Sequence, residues 1–353
     1  MSIIRKIGVL VSIFFLPLAA AFAQEGEYAG TPDYPELAAA RWQLGRYSFT
    51  VSPLLGFLHG QARSLVFRDG GNQYLSELLW DLKPLFYVGL AVEFGPRDPF
   101  QRHGFIGATS IKFGIPRRSG THENRDWLNP NADWLTHYSR HDLYSRRAIL
   151  LDASAGYSWP LTDFLALSAF MEFSFMHFFW SGRGGFVQYP DDSLYLNFPP
   201  WSSDLPKVYL SGEVIRKTQN WFVFAPGFSL TWRINELFSL RGNFSYTPLI
   251  FCYARDDHLL RSKTFWDYLF FGHYINGGAA FIFSPPNTNN LDISLSLSYR
   301  RISGTRGTTR EVYHENVGTI PAGRTRTFID SAGAAFSAMD ISLAARIRLF
   351  GQN

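Results

Sequence analysis

The stretch CYARDDHLL, residues 252–260, sets two aspartates and a histidine after a run of apolar and aromatic residues. Asp256 and His258 are two positions apart, so in an extended chain they fall on the same side. One carboxylate can then orient and polarise one imidazole. Histidine titrates near neutrality and can take a proton from water. A neighbouring aspartate stabilises the imidazolium that forms. A solvated loop with ordinary charges has the same spelling, so the strand that carries the pair decides what the pair can do.

The surrounding elements alternate. In LDISLSLSYR, residues 291–300, Leu291, Ile293, Leu295, Leu297 and Tyr299 oppose Asp292, Ser294, Ser296, Ser298 and Arg300. The last stretch sets Met339, Ile341, Leu343, Ala345, Ile347 and Leu349 against Asp340, Ser342, Arg346 and Arg348. An early one sets Tyr47, Phe49, Val51, Leu55 and Phe57 against Ser48, Thr50 and Ser52. Alternation of this kind marks a two-sided β wall. A soluble sandwich with one wet face would show it too. Here the walls are as long as the roughly 9–11 residues a tilted membrane strand needs, or longer. A closed barrel is the sheet that satisfies its own backbone in lipid.

The expected architecture is all-β, a ten-stranded antiparallel transmembrane β-barrel. Its strands are expected near 45–67, 73–94, 105–117, 141–159, 164–182, 207–232, 238–256, 265–283, 291–304 and 330–350. Three connections are tight, around Pro160, Asn235 and Pro286, whereas 118–140, 183–206 and 305–329 read as long polar loops. Short periplasmic turns and long outer loops are the usual asymmetry. It places 121–141 and 254–261 at the outer rim. Glu172, Arg241, Asn243 and Arg300 are expected to help fill the narrow bore.

One difficulty follows from the parity. Counting by twos from Phe238, the residues Phe238, Leu240, Phe244, Tyr246 and Ile250 share an outward face, and Asp256 and His258 inherit it. For the pair to face the bore, the strand needs one extra residue between about Pro248 and Arg255, a β-bulge. Pro248 is the natural place for the ladder to break.

Composition agrees with an exported barrel. Residues 1–23 have the parts of a secretory signal: Arg5 and Lys6, the apolar run 7–18, and Ala21-Phe22-Ala23 for cleavage. A single domain is expected over 24–353. Loss of Arg5 and Lys6 lowers the formal charge from +4 to +2, which argues against a nucleic-acid partner. Cys252 is the only cysteine, so neither an internal disulfide nor a cysteine-type metal site can form. No cofactor is implied. Aromatics at 17% and charged residues at 18% are too greasy for disorder, and too interrupted for spanning helices.

The chain resembles the omptins, ten-stranded outer-membrane endopeptidases, over nearly all of residues 24–353. The firmest part is FSLRGNFSYTPLIFCYARDDH, 238–258, followed by SELLWDLKP (76–84), NRDWLNPNADW (124–134), SRH (139–141), SGRGG (181–185) and GEVIRKTQ (212–219). The resemblance implies a catalytic pair Asp256 and His258 on one side of the mouth. It implies Asn124 and Asp126 on the other, where the family carries two aspartates. By that analogy His258 is the base, Asp256 its orienter, and Asp126 with Asn124 the holders of the attacked water or the oxyanion. Ser64 and Ala254 stand where the family reads basic substrate residues with acids, and Ser139, Arg140 and His141 are expected nearby. Phe173, Phe175 and His177 align with the family's lipopolysaccharide-gripping positions and read as a greasy lipid-facing surface.

The implied function is hydrolysis of peptide bonds in peptide or protein substrates at the cell surface, by a monomer in outer-membrane lipid. Asn124 keeps the shape and one acceptor oxygen of an aspartate but loses its charge, which implies weakened activity; Asp133 in the near-copy NADW is a possible substitute. A non-enzymatic adhesin or receptor on the same scaffold is the alternative, since Asn124, Ser64 and Ala254 each remove a carboxylate. A small channel is a third. Arg300, Arg301, Arg306, Arg310, Arg324 and Arg326 are either solvated or lumen-paired charges, or a contact for an anionic surface polymer.

Overall fold

The computed structural model describes residues 46–68, 71–191, 197–286, 288, 290–316 and 318–350. Residues 1–45, which include the expected leader 1–23, and Gly351-Gln352-Asn353 lie outside the described residues. Alternating sequence becomes β1 (Tyr47–Phe67), β2 (Tyr74–Pro96), β3 (Gly104–Gly114), β4 (Arg117–Asp126), β5 (His137–Thr162), β6 (Leu165–Gln188) and the short β7 (Val208–Tyr209). Then follow β8 (Glu213–Arg233), β9 (Phe238–Thr247), β10 (Ile250–His258), β11 (Lys263–Phe270), β12 (His273–Phe283), β13 (Leu291–Tyr313) and β14 (Thr325–Phe350).

All pairings are antiparallel, and β14 returns to β1 to close the ring. β4 continues β3 between β2 and β5, β10 continues β9, and β11 precedes β12 on one line beside β13. The ring therefore has ten staves, with β7 an added piece paired to β6. Closure leaves no open edge in lipid.

The outer face carries the apolar half of the alternation. Leu55, Phe224, Phe228, Leu295 and Leu343 are each more than half exposed, an apolar belt that belongs in lipid rather than water. The bore carries the polar half. Arg241 on β9 reaches Glu93 on β2 at 3.0 Å, and Arg300 on β13 reaches Asp152 on β5 at 3.0 Å. Each pair joins staves on opposite sides of the ring. Glu172 accepts from Ser245 at 2.7 Å and Tyr274 at 2.6 Å, and Arg348 meets Asp292 at 2.7 Å. Ion pairs and hydrogen bonds thus span the bore at membrane level, against the channel reading.

The staves outrun the membrane. β5 has 26 residues and β14 has 26, against roughly 9–11 for a span. Two of the expected long loops, 118–140 and 305–329, are largely strand, and 183–206 begins as strand. β4 runs to Asp126, β5 starts at His137, β6 runs to Gln188, and the β13–β14 hairpin continues to Tyr313 and Thr325. The reason is chemical. Above the belt the outer face meets water, so both faces carry polar residues and the alternation disappears from the sequence. Ion pairs between and along strands mark this zone: Arg118–Asp142 at 2.6 Å, Arg125–Glu77 at 3.6 Å and Arg255–Asp257 at 2.9 Å.

The required extra residue is present at the expected proline. From Ser245 to Ile250 is five steps, and the paired stretch of β8, Gly227 to Val223, is four. Ser245 and Thr247 are buried before the joint; Ile250, Cys252, Ala254 and Asp256 are buried after it. Pro248 has no N–H to give, and the Leu249 N–H turns to Thr247 Oγ1 at 3.0 Å. The next two staves switch at the same level. On the β11–β12 line the switch is at Phe271 and Gly272, with φ of 58° and 137°. On β13 it is at Gly304, φ 74°, where Ile302 to Thr305 opposes only Phe336 to Ala334. A Cβ at Gly272 would lie 2.7 Å from the Ser303 carbonyl oxygen, so glycine is needed there for space and for its φ.

Candidate active site

The joint turns Asp256 inward, where it is 4% exposed. Register places Lys217 of β8 directly opposite it. Lys217 Nζ donates to Asp256 Oδ2 at 3.4 Å and lies 3.9 Å from Asp267 Oδ2. His258 Nε2 faces Asp256 Oδ1 at 3.5 Å, with its ring edge-on to Phe265. Burial raises the Asp256 carboxyl to about 6, against the pull of Lys217. Burial, then the cations Arg261, Lys217 and Lys263, push the His258 imidazole down to about 3. Near neutral pH the pair is therefore carboxylate and neutral imidazole.

The facing wall is β4. His122, Asn124 and Asp126 alternate inward and are buried, while Glu123 and Arg125 point out and pair at 2.9 Å. Ser76 donates to Asp126 Oδ1 at 2.5 Å, and Asn124 Nδ2 donates to Asp126 Oδ2 at 3.0 Å. Thr136 fixes the Asp126 backbone, its N–H and its hydroxyl donating to the Asp126 carbonyl oxygen at 2.8 and 2.9 Å. Burial raises the Asp126 carboxyl, opposed by Ser76, Arg261 and Asn124.

Two walls thus each present one buried acceptor oxygen without a hydrogen-bond donor, Asn124 Oδ1 and Asp256 Oδ1. Arg261, in the short turn after β10, is the charge both walls feel: it pulls the Asp126 carboxyl down and also lowers His258. Burial raises the Tyr189 hydroxyl, opposed by Arg261 and Ser139.

Aromatic rings and imidazoles lie between the walls. Trp80 stacks on His122 with centroids 4.0 Å apart and meets Trp180 at 6.0 Å. His122 stacks on His141 at 5.7 Å. The Leu79 and Gly184 carbonyls lie 3.0 Å from His122 Nδ1 and 2.6 Å from His141 Nδ1. A carbonyl only accepts, so both rings carry hydrogen on Nδ1. Burial lowers both imidazoles, keeping them neutral. Among the described residues, no group of three or more His, Cys, Asp and Glu could hold a metal ion.

The structure brings most of the sequence candidates inward. Ser64, Ser139, His141 and Ala254 are buried on inward positions, with Ser64, Leu78, Asn124 and Ser139 on one row of register. Arg140 is corrected. It lies on the opposite face from Ser139 and His141 and is exposed outside the ring, because adjacent strand residues point oppositely. Asp133 does not substitute for an aspartate at position 124; it is exposed and accepts from Gln73 at 2.9 Å. Of the loop arginines, Arg300 is a bore residue, and Arg306 pairs with Asp330 at 3.2 Å. Phe173 and Phe175 pair with Phe224 and Phe222 on the outer face, but His177 contacts Asn220 at 2.8 Å and Arg147 at 3.0 Å, a polar spot in that surface. Lys217, Trp80, His122, Arg261 and Tyr189 were not singled out from the sequence. Lys217 had a signal, a charge between buried positions Ile215 and Gln219 of one strand face.

A sequence profile of the Omptin family matches residues 45–348. A plasminogen activator of Yersinia pestis is 24% identical over 237 residues, covering 65% of this chain and 70% of that protein. The crystal structure of the outer membrane protease OmpT from Escherichia coli superposes with a TM-score of 0.75 at 16% identity, over 86% of this chain and 97% of that one.

Proposed function

The chain belongs to the omptin family of outer-membrane β-barrels, and on that premise we propose that it is an endopeptidase whose site opens at the cell surface. The observation that carries this reading is the pair of unpartnered buried acceptors, Asn124 Oδ1 and Asp256 Oδ1, on facing walls beside an imidazole. Asp256 Oδ1 is placed to take the Nε2–H of His258 as the pair closes, and a water or a substrate N–H supplies the donor that Asn124 Oδ1 lacks.

In this mechanism a water held by Asn124 and Asp126 attacks the peptide carbonyl carbon. Its proton goes to Nδ1 of His258, whose Nε2 side faces Asp256. Asp256 stabilises the imidazolium. Collapse of the tetrahedral intermediate breaks the C–N bond, and His258 returns the proton to the leaving amine. Arg261 offers a positive charge near the developing oxyanion.

Activity is lower than an aspartate at position 124 would give. An amide stabilises the imidazolium less than a second carboxylate, and an imidazole pushed down to about 3 is a weak base. The site also does not select basic residues. Ser64 and Ala254 cannot pair with a buried cation, and the ammonium of Lys217 stands opposite Asp256, one inward position from Ala254.

The test is incubation of purified, refolded barrel with a mixed peptide library. Cuts that vanish in His258→Ala support the reading. An absence of cuts, with binding to host matrix proteins instead, overturns it in favour of the adhesin alternative, which the uncharged Asn124, Ser64 and Ala254 would favour.

A further inference from the structure

Lys217 is 1% exposed, in the interior of the ring. Such a cation is costly unless paired, and its partners are Asp256 at 3.4 Å and Asp267 at 3.9 Å. Asp256 is as dependent on Lys217. Its Oδ2 receives that one hydrogen bond, and its Oδ1 receives none. A buried carboxylate without donors takes up a proton, and a neutral carboxyl cannot stabilise an imidazolium.

We propose that Lys217 is a positioning residue of this site: the buried ammonium that holds Asp256 in its charged form and so keeps His258 usable as a base. This rests on the reading of Asp256 as the orienter of His258. Every charged group facing Asp256 bears on the argument. From β8 there is Lys217; from β11, Asp267 and Lys263; along its own strand, His258 and the outward-facing Asp257; from the turn, Arg261. Asp257 is bound elsewhere, by Arg255 at 2.9 Å and Thr264 at 2.6 Å. Lys263 pairs with Glu311 at 3.0 Å. Lys217 is the cation hydrogen-bonded to Asp256, and Asp267 competes for it.

Geometry also fixes its place. Lys217 lies opposite Trp180 on β6 and Asp256 on β10, and its Nζ sits 5.9 Å over the Trp80 ring. The indole face adds a favourable environment for the cation and limits where the ammonium can go. Lysine suits the site because it is a compact point charge on a long apolar stem.

The experiment uses the full-length barrel folded in detergent micelles, with folding verified for each variant by the shift in gel mobility on heating. The protonated-carboxyl infrared band is followed against pH and assigned by its loss in Asp256→Asn. Lys217→Met is expected to move the Asp256 midpoint upward by about 1–3 units, the effect of removing an opposite charge at this distance. Lys217→Arg is expected to keep the midpoint near that of the parent. Asp267→Asn, which releases the ammonium to Asp256 alone, is expected to move it downward. An unchanged midpoint in Lys217→Met overturns the proposal. If that variant does not fold, an unchanged or raised midpoint in Asp267→Asn overturns it. Where the parent cleaves peptides, the acid limb of kcat should follow the infrared midpoint while KM holds. A parent that cleaves nothing defeats the protease reading alone, since the infrared titration still decides the role of Lys217.

Discussion

Asn124 donates to Asp126 Oδ2 at 3.0 Å, while its own Oδ1 is buried without a donor. The amide therefore holds the aspartate with one arm and leaves an acceptor free with the other. Two carboxylates at that spacing could not both ionise cheaply, so the amide also removes a titration from this wall.

Restoring the charge tests the division of labour. Asn124→Asp is expected to raise kcat/KM, by up to about 10²–10⁴ if the carboxylate acts as a full acid–base group. Equal or slower cleavage in a peptide assay would discard the role given to this wall.

The pH profile should be set by Asp256. Its carboxyl is raised to about 6, so the working carboxylate is present above that pH and lost as pH falls through it. His258, pushed down to about 3, stays neutral over the same range and imposes no second limb there. Initial rates that stay flat between about pH 5 and about pH 8 would contradict this assignment.

Specificity should be reversible at two positions. The parent is expected to show no preference for Lys or Arg at the cleaved bond. Ser64→Glu with Ala254→Asp should introduce one, read as the residue distribution at library cleavage sites. A strong basic preference in the parent would show that neither position governs selection.

Stability rests on the network in the bore. Arg300 donates to both Asp152 and Ser174, at 3.0 and 3.1 Å. Arg300→Met leaves the carboxylate without that partner and is expected to cost about 3 kcal/mol, the lower end for breaking a buried pair. Urea unfolding followed by tryptophan fluorescence measures it; a midpoint matching the parent would show that the pair contributes little.

The sequence was most legible where one face meets lipid and the other meets the polar bore. The alternation at 291–300 and 339–349 is reproduced by β13 and β14, with Leu295 and Leu343 outside and Asp292 and Ser294 buried. It was least legible above the belt, where β4 and the upper halves of β13 and β14 carry polar residues on both faces and spell like loops. Parity arithmetic called for the joint between about Pro248 and Arg255, because a misplaced Asp256 could be detected by counting, and the missing N–H of Pro248 suggested the place. Lys217 and Trp80 escaped for the opposite reason: their partners are far away in the chain, and no local pattern announces a pairing made across the ring.

The joint at Pro248, Phe271-Gly272 and Gly304 lets the molecule obey two masters. Below it, side-chain choice answers to the bilayer; above it, to the substrate. Each half keeps its own phase, so a chimera that takes its upper storey from a relative, cut at this level on all three neighbouring staves, should inherit the donor's selectivity and still insert like the recipient. A splice that dropped one residue at the seam would carry the wrong phase across it and turn Asp256 outward.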